Sequence, residues 1–264
     1  MEPYFFTRRT APLLVSMPHV GLEVPPEIES RFTEEAKILP DTDWHVDRLY
    51  DFLEELGATV IAARYSRYVI DLNRAPDNRA LYKGANNTEL CPTSTFFDAP
   101  IYRAGEAPDE AEVAARRESY WQPYHDKLAA TLEELLAEHG RVLLWDAHSI
   151  RSRVPRFFDG KLPDLNLGTA DGASVDAELA EVLVSEAAMA GDYSAVLNGR
   201  FKGGYITRSH GAPARGVQAV QLELSQATYM EEDPPFAFRE DLAEGVRPVI
   251  RDLMTAALTW LRRQ

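Results

Sequence analysis

Two histidines, His19 and His148, each stand where an apolar run gives way to a loop, and Asp71 with Asn73 and Arg74, Asp146 and Glu223 occupy comparable places. Imidazoles and carboxylates gathered from separate strand ends are the ingredients of a catalytic metal centre with three protein ligands and an open position for water. Taken singly, a histidine at a strand end is more often a hydrogen-bonded structural residue. Asp146 lies two residues before His148, on the same strand face, where it can orient that imidazole or cap a loop. Asn73-Arg74 offers a carboxamide and a guanidinium fork, suited to a substrate carboxylate or a polarised carbonyl, or else to an internal ion pair. Glu223 is an acid inside the apolar run Ala219–Leu224. Alternation puts it on one face with Gln221, so it is either solvated or a costly buried carboxylate that a general-base role would justify.

The segment Gly203-Gly204-Tyr205-Ile206-Thr207-Arg208 is glycine-rich but has neither the spacing of a phosphate loop nor that of a dinucleotide fingerprint. Its glycines would let backbone approach a ligand closely, and Arg208 is a second anion clamp to consider. Cys91, followed by Pro92 and far from any histidine in sequence, reads as a structural thiol. His45, His125 and His139 read as surface or packing residues.

The elements that must carry these residues follow from periodicity. Pro12–Met17 is too short for a helix and ends at Pro18-His19, which implies a buried strand. Val46, Leu49, Tyr50, Leu53 and Leu56 have helical spacing, with Asp41 or Asp43 as N-cap and Gly57 as the stop. Ala58–Ala63 and Arg67–Leu72 read as a strand pair, and residues 77–107 as a long loop of the kind that binds or covers ligands. A helix is expected from Glu110 to His139, kinked or split at Pro123. Arg141–Ala147 is the most strand-like run. A loop over 151–172, a helix over Ala173–Ala190, strands near Tyr193–Leu197 and at Val217–Leu224, and a closing helix over 236–263 complete the reading. Strands alternating with helices imply one α/β unit with a largely parallel sheet, whose sites lie beyond the carboxyl ends of the strands.

Composition narrows the partners. The 264 residues carry 28 Lys and Arg against 42 Asp and Glu, a net charge of −14 that opposes binding to nucleic acid or an anionic membrane. With 45% hydrophobic and 27% charged residues the chain has the mix of an ordinary globular protein, not of a disordered one. A single cysteine permits no internal disulfide, the amino terminus lacks a secretory pattern, and no apolar stretch approaches the roughly 20 residues of a membrane span. A cytoplasmic protein is expected.

Five stretches, Ser16–Gly21, Tyr65–Arg74, Trp145–Ser149, Gly203–Arg208 and Gln221–Gln226, together resemble the N-formylglutamate amidohydrolases, and the likeness runs from Leu13 to about Met230. Leu39–Tyr50 looks most like the deformylase branch of histidine utilisation. That family is similar in turn to zinc carboxypeptidases and aspartoacylases. The resemblance implies one three-layer α/β domain over residues 1–264, with a mixed, mostly parallel sheet and helices on both faces. It implies hydrolysis of N-formyl-L-glutamate to formate and L-glutamate, the last step of a histidine degradation route, and hence a small anionic substrate. His19 and His148 become metal ligands, Glu223 the general base, Arg74 a catalytic oxyanion contact, and Arg67, Asn73 and Arg208 substrate-binding residues. The peptidase pattern has Glu three residues after its first His, whereas position 22 here is Leu. Asp43 is preferred as third ligand over Asp41 and Glu23, because it lies one helical face from Leu49 and Leu53, whose burial would turn it toward the sheet end. The cofactor is one divalent metal, zinc by resemblance, although cobalt, iron and manganese accept the same ligands. The rival readings are another metal-dependent N-acyl amino acid amidase or carboxypeptidase-like hydrolase, and a non-catalytic acid-binding protein.

Overall fold

The apolar runs become strands of one seven-stranded sheet. In chain order these are β1 (Tyr4–Thr7), β2 (Leu13–Met17), β3 (Thr59–Ala63), β4 (Val142–Ile150), β5 (Leu165–Gly168), β6 (Ala195–Leu197) and β7 (Val217–Ser225). Across the sheet they lie β1-β3-β2-β4-β7-β5-β6. The central four, β3, β2, β4 and β7, run parallel. β1 and β5 pair antiparallel with β3 and β7, and β6 pairs parallel with β5, so the sheet is mixed and mostly parallel. The computed structural model describes residues 2–80 and 87–264, so residues 81–86 of the expected long loop lie outside the described residues.

Every residue of β2, β4 and β7 is buried, as strands covered on both faces require. The helices are α1 (Pro26–Glu29), α2 (Glu34–Lys37), α3 (Val46–Leu49), α4 (Glu110–Arg116), α5 (Gln122–His139), α6 (Ala177–Ala187), α7 (Tyr205–His210) and α8 (Glu240–Leu261). On one face of the sheet Leu13, Val15, Trp145, Val220 and Leu222 pack with Leu179 and Leu183 of α6 and Val246, Ile250 and Leu253 of α8. On the other, Leu14, Leu144 and Ala219 meet Tyr124, Leu128 and Leu132 of α5 and Ile206 of α7. Each such side chain contributes about 1.5–3 kcal/mol by leaving water. Among the described residues no helix is long and apolar enough to cross a membrane.

One face changes character along its length. Residues i, i+2 and i+4 of a strand share a face, so Val142, Leu144, Asp146 and His148 of β4 lie together, as do Val217, Ala219, Gln221 and Glu223 of β7. The register pairs them as Val142↔Val217, Leu144↔Ala219, Asp146↔Gln221 and His148↔Glu223. The face is apolar where α5 covers it and polar at the carboxyl ends.

The structure differs from the sequence reading in several places. Arg67–Leu72 is not a strand. Its backbone turns instead, with Asp71 N bonded to Leu90 O at 2.7 Å, Asn73 N to the Asp71 carboxylate at 2.9 Å, and buried Arg116 donating to Val69 O at 3.0 Å. These tertiary bonds outweigh the β propensity of the run. The helix expected from Asp43 breaks into α3 and a 3-10 turn, Asp51–Leu53. His45 starts α3 in a left-handed conformation with no side-chain cap, and Tyr50 leaves helical geometry at ψ 36°. The helix anticipated from Glu110 is continued through Arg117–Trp121 by a π-helical turn, with Pro123 in the first turn of α5. β5 lies inside the expected loop over 151–172, and α7 forms from the glycine-rich segment.

Candidate active site

His19 follows β2 at its carboxyl end, His148 lies near the end of β4, and Asp43 is carried in by the loop before α3, pinned by its own N–H to His19 O at 3.1 Å. One ligand atom from each of the three lies within 4.8 Å of the others, and all three residues are buried. Asp43 Oδ2 is 3.1 Å from His148 Nδ1 and 3.7 Å from His19 Nδ1. The opposite nitrogens are held by acids: His19 Nε2 lies 2.7 Å from Asp71 Oδ1, and His148 Nε2 lies 3.1 Å from Asp146 Oδ2. A carboxylate on the far nitrogen fixes each ring and turns its Nδ1 to the centre, the usual support of a metal-binding imidazole.

The electrostatics match. Burial works against charge on Asp43, yet His19 and His148 keep its carboxyl below the usual carboxylate range. Burial likewise opposes protonation of His148, but Asp146 and Asp43 raise its pKa well above that of ordinary imidazole. Asp71 is pulled well below the carboxylate range by His19, Arg67 and Arg74 in spite of its complete burial. Asp43 Oδ1 is buried and accepts no hydrogen bond among the described residues, with Arg67 Nη1 at 3.5 Å. A buried carboxylate with one oxygen beside two aligned imidazole nitrogens and the other without a donor suits a divalent cation, and the donor set fits one.

Beside this group lies a cavity lined by His19, His148, Glu223, Gln221, Arg67 and Arg74, among others. Glu223, cross-strand from His148, is buried, and burial pushes its carboxyl up to about 8. Gln221 orients it: the Gln221 carbonyl accepts from Gly204 N at 2.7 Å, so its amide nitrogen donates to Glu223 Oε2 at 3.1 Å. Arg67 spends Nη2 on Asp71 at 2.7 Å and lies over the Phe96 ring at 4.7 Å. Arg74 is braced by Thr88 Oγ1 at 2.7 Å. The loop carrying both is held from α5 and the π-helical turn, where Trp121 Nε1 donates to Arg74 O at 3.0 Å and His125 Nε2 to Leu72 O at 2.8 Å.

Residues 11–230 match the family model for N-formylglutamate amidohydrolase. The chain belongs to the N-formylglutamate amidohydrolase family. An N-formylglutamate deformylase of Pseudomonas aeruginosa is 54% identical over 263 residues, covering 100% of this chain and 98% of that protein. One from Pseudomonas putida is 53% identical over 97% of this chain and 95% of its own length. The crystal structure of an N-formylglutamate amidohydrolase from Ralstonia eutropha superposes with a TM-score of 0.79 at 27% identity, covering 100% of this chain and 98% of that one.

In this member of the family the structure separates the residues singled out from the sequence. Of the three acids considered beside the histidines, Asp43 stands with them. Asp41 instead accepts from Tyr68 Oη at 2.7 Å and Phe96 N at 2.9 Å, and Glu23 pairs with Arg64 at 3.0 Å on the surface. Asn73 does not line the cavity. Its Nδ2 is 3.2 Å from Asp146 and 2.9 Å from His148, and its Oδ1 accepts from Ile206 N at 2.8 Å, so the amide is spent inside the protein. Arg208 does not line it either. It rides on α7, donates Nε to Gly203 O at 2.8 Å and faces a separate surface pocket beside Arg79 and Ser209. Cys91 is buried, and burial pushes its thiol up to about 11, which suits packing rather than nucleophilic attack. Reading by sequence passed over the role of Asp71 and the cavity residues Phe96, Phe157, Arg200 and Phe201. Asp71 stood within the quoted stretch before Asn73; the aromatic residues and Arg200 carry no local signal.

Proposed function

We propose that this chain hydrolyses N-formyl-L-glutamate to formate and L-glutamate with the help of one divalent metal. The observation that carries the reading is the grouping of Asp43 with His19 and His148, which line one cavity together with Glu223, Arg67 and Arg74. His19 and His148 through Nδ1, with Asp43, would hold the metal. Two imidazoles and a carboxylate are a donor set of catalytic zinc sites, and zinc is the assignment we make. When bound, such a cation polarises a carbonyl and acidifies water.

Glu223 is the group placed to move protons. As a carboxylate it accepts one from the attacking water, and as an acid it returns it to the amide nitrogen while the carbon–nitrogen bond breaks. The hydroxyl ends on the formyl carbon and the proton on the amine of glutamate. A pKa pushed up to about 8 by burial keeps the protonated form of Glu223 accessible for the return. Arg74 supplies positive charge where the carbonyl oxygen becomes an oxyanion. Arg67, tied to Asp71, adds a fixed charge that favours an anionic substrate. Asn73 contributes by donating to Asp146, the acid that holds His148 Nε2 in place.

Formate release from N-formyl-L-glutamate, followed before and after exhaustive chelation and again after zinc is returned, tests this. Activity should vanish with the metal and come back with it. Undiminished turnover by protein shown metal-free by elemental analysis would overturn the metal role, and turnover of N-acetyl or peptide substrates in preference to the formyl compound would overturn the substrate.

A further inference from the structure

We propose that Arg200 is the specificity residue of this site and clamps the side-chain carboxylate of the substrate, a reading that rests on the N-formylglutamate assignment above. Arg200 belongs to the segment between β6 and α7 and lines the same cavity as His19, His148 and Glu223. Its guanidinium is held in a defined plane. Nε donates to Phe157 O at 2.7 Å, while the guanidinium carbon lies 5.8 Å from the Phe157 ring centre and 5.3 Å from that of Phe201. Phe157 and Phe201 pack in turn on a small buried cluster of Phe96, Ile150, Val154 and Leu162, which gives that wall a rigid backing. An arginine braced in this way loses little side-chain freedom when it binds, and its fork matches a carboxylate better than a lysine would.

Position decides which carboxylate. Glutamate carries two, and the α-carboxylate is the nearer of them to the formyl carbon. Arg67 touches Asp43 and Asp71 directly, and Arg74 donates at 3.2 Å to the backbone oxygen of Asn73, whose side chain holds Asp146. Both arginines therefore belong to the reacting end of the cavity. Arg200 is anchored instead to Phe157, in the segment between β4 and β5, and not to the acids that hold the histidines. The reacting end takes the formamide and the α-carboxylate, and Arg200 takes the carboxylate that projects farther. Glutamate is thereby distinguished from residues with neutral side chains. The aromatic flanks strengthen the effect, because a charge-assisted hydrogen bond sheltered from water is stronger than an exposed one.

The test compares N-formyl-L-glutamate with N-formyl-L-glutamine, which has nearly the same size and no side-chain charge, on the metal-loaded full chain. Wild-type protein should prefer the glutamate compound. R200Q should collapse the ratio of the two kcat/KM values by roughly tenfold to a hundredfold, the range expected for losing a charge-assisted hydrogen bond, chiefly through KM for the glutamate compound. R200K, which keeps the charge without the fork, should fall between, and carries the test if R200Q does not fold. If the variants lower both substrates equally, Arg200 serves the α-carboxylate or the fold, and the clamp is overturned. An unchanged ratio overturns it as well. Failure of wild-type protein to release formate from either compound would instead overturn the reading of the site on which the clamp rests.

Discussion

At the scale of single residues, the cost of burying charge identifies the working groups. An ionised carboxylate removed from water is costly unless paired, and the buried acids Asp43, Asp71 and Asp146 each face an imidazole or guanidinium. Glu223 differs, since its hydrogen-bond donor is the neutral amide of Gln221 and its carboxyl titrates high. Glu223→Gln should therefore keep the metal and substrate affinity but lower kcat per bound metal by about 10²-fold or more. A variant that melts early yet turns over normally per metal would return Glu223 to a structural role. His19→Ala and His148→Ala should both lose bound metal in elemental analysis while far-UV circular dichroism stays native. Asp71→Asn leaves the ligands in place and removes the charge behind His19, so metal affinity should fall by roughly 10–100-fold in a competition titration.

At the scale of elements, the loop Arg67–Arg74 is positioned by α5 and its π-helical entry, and one buried histidine makes that attachment sensitive to pH. His125 stacks on Trp121 with ring centres 3.7 Å apart and donates to Leu72 O, while its Nδ1 has no hydrogen-bond partner among the described residues. Burial pushes its pKa down to about 3. A histidine whose folded value lies below its unfolded value of about 6.5 contributes its full stability above that unfolded value. The contribution is lost progressively as pH falls from about 6.5 toward 3, at up to about 1.4 kcal/mol per pH unit. His125→Gln retains a donor for Leu72 and cannot protonate, so its urea midpoint should decline less than that of wild type between pH 6.5 and 4. A parallel decline would assign the acid sensitivity elsewhere. The start of α7 offers a steric test: a Cβ on Gly204 would lie 2.3 Å from Asn73 Nδ2. Gly204→Ala must displace the amide that holds Asp146 behind His148, and should cost about 1–3 kcal/mol in stability together with activity.

For the whole molecule, the cores on both faces of the sheet are complete without the site, which sits beyond the strand ends. Metal should add stability without being required for folding. At a free zinc concentration about 100 times the dissociation constant, linkage contributes about 2.7 kcal/mol, which for a chain of this size raises Tm by roughly 5–10 °C. Chelation should lower Tm by that amount with no loss of secondary structure, and His19→Ala should melt at the same temperature with or without zinc. Unfolding on chelation would show a structural metal instead.

The sequence by itself determined the strands β2, β4 and β7, because runs buried on both faces must be apolar throughout, and it exposed Glu223 as the charge that breaks one of them. It also determined His19 and His148 as strand-end residues, and its ordered stretches carried the family. Only the tertiary structure decided what pairs with what. Helical spacing favours Asp43 over Asp41 and Glu23, but it is the hydrogen bond from Asp43 N to His19 O that brings this acid to the histidines. Arg67–Leu72 has the composition of a strand but is folded into turns by bonds to Leu90 and Arg116, residues distant in the chain. Arg208 stands out in the glycine-rich segment, whereas Arg200 carries no local signal. The turn of α7 carries the first to a different pocket, while Phe157 and Phe201 hold the second in the cavity. Local sequence fixes period and burial, whereas the direction of a charged side chain depends on partners that only the closed fold supplies.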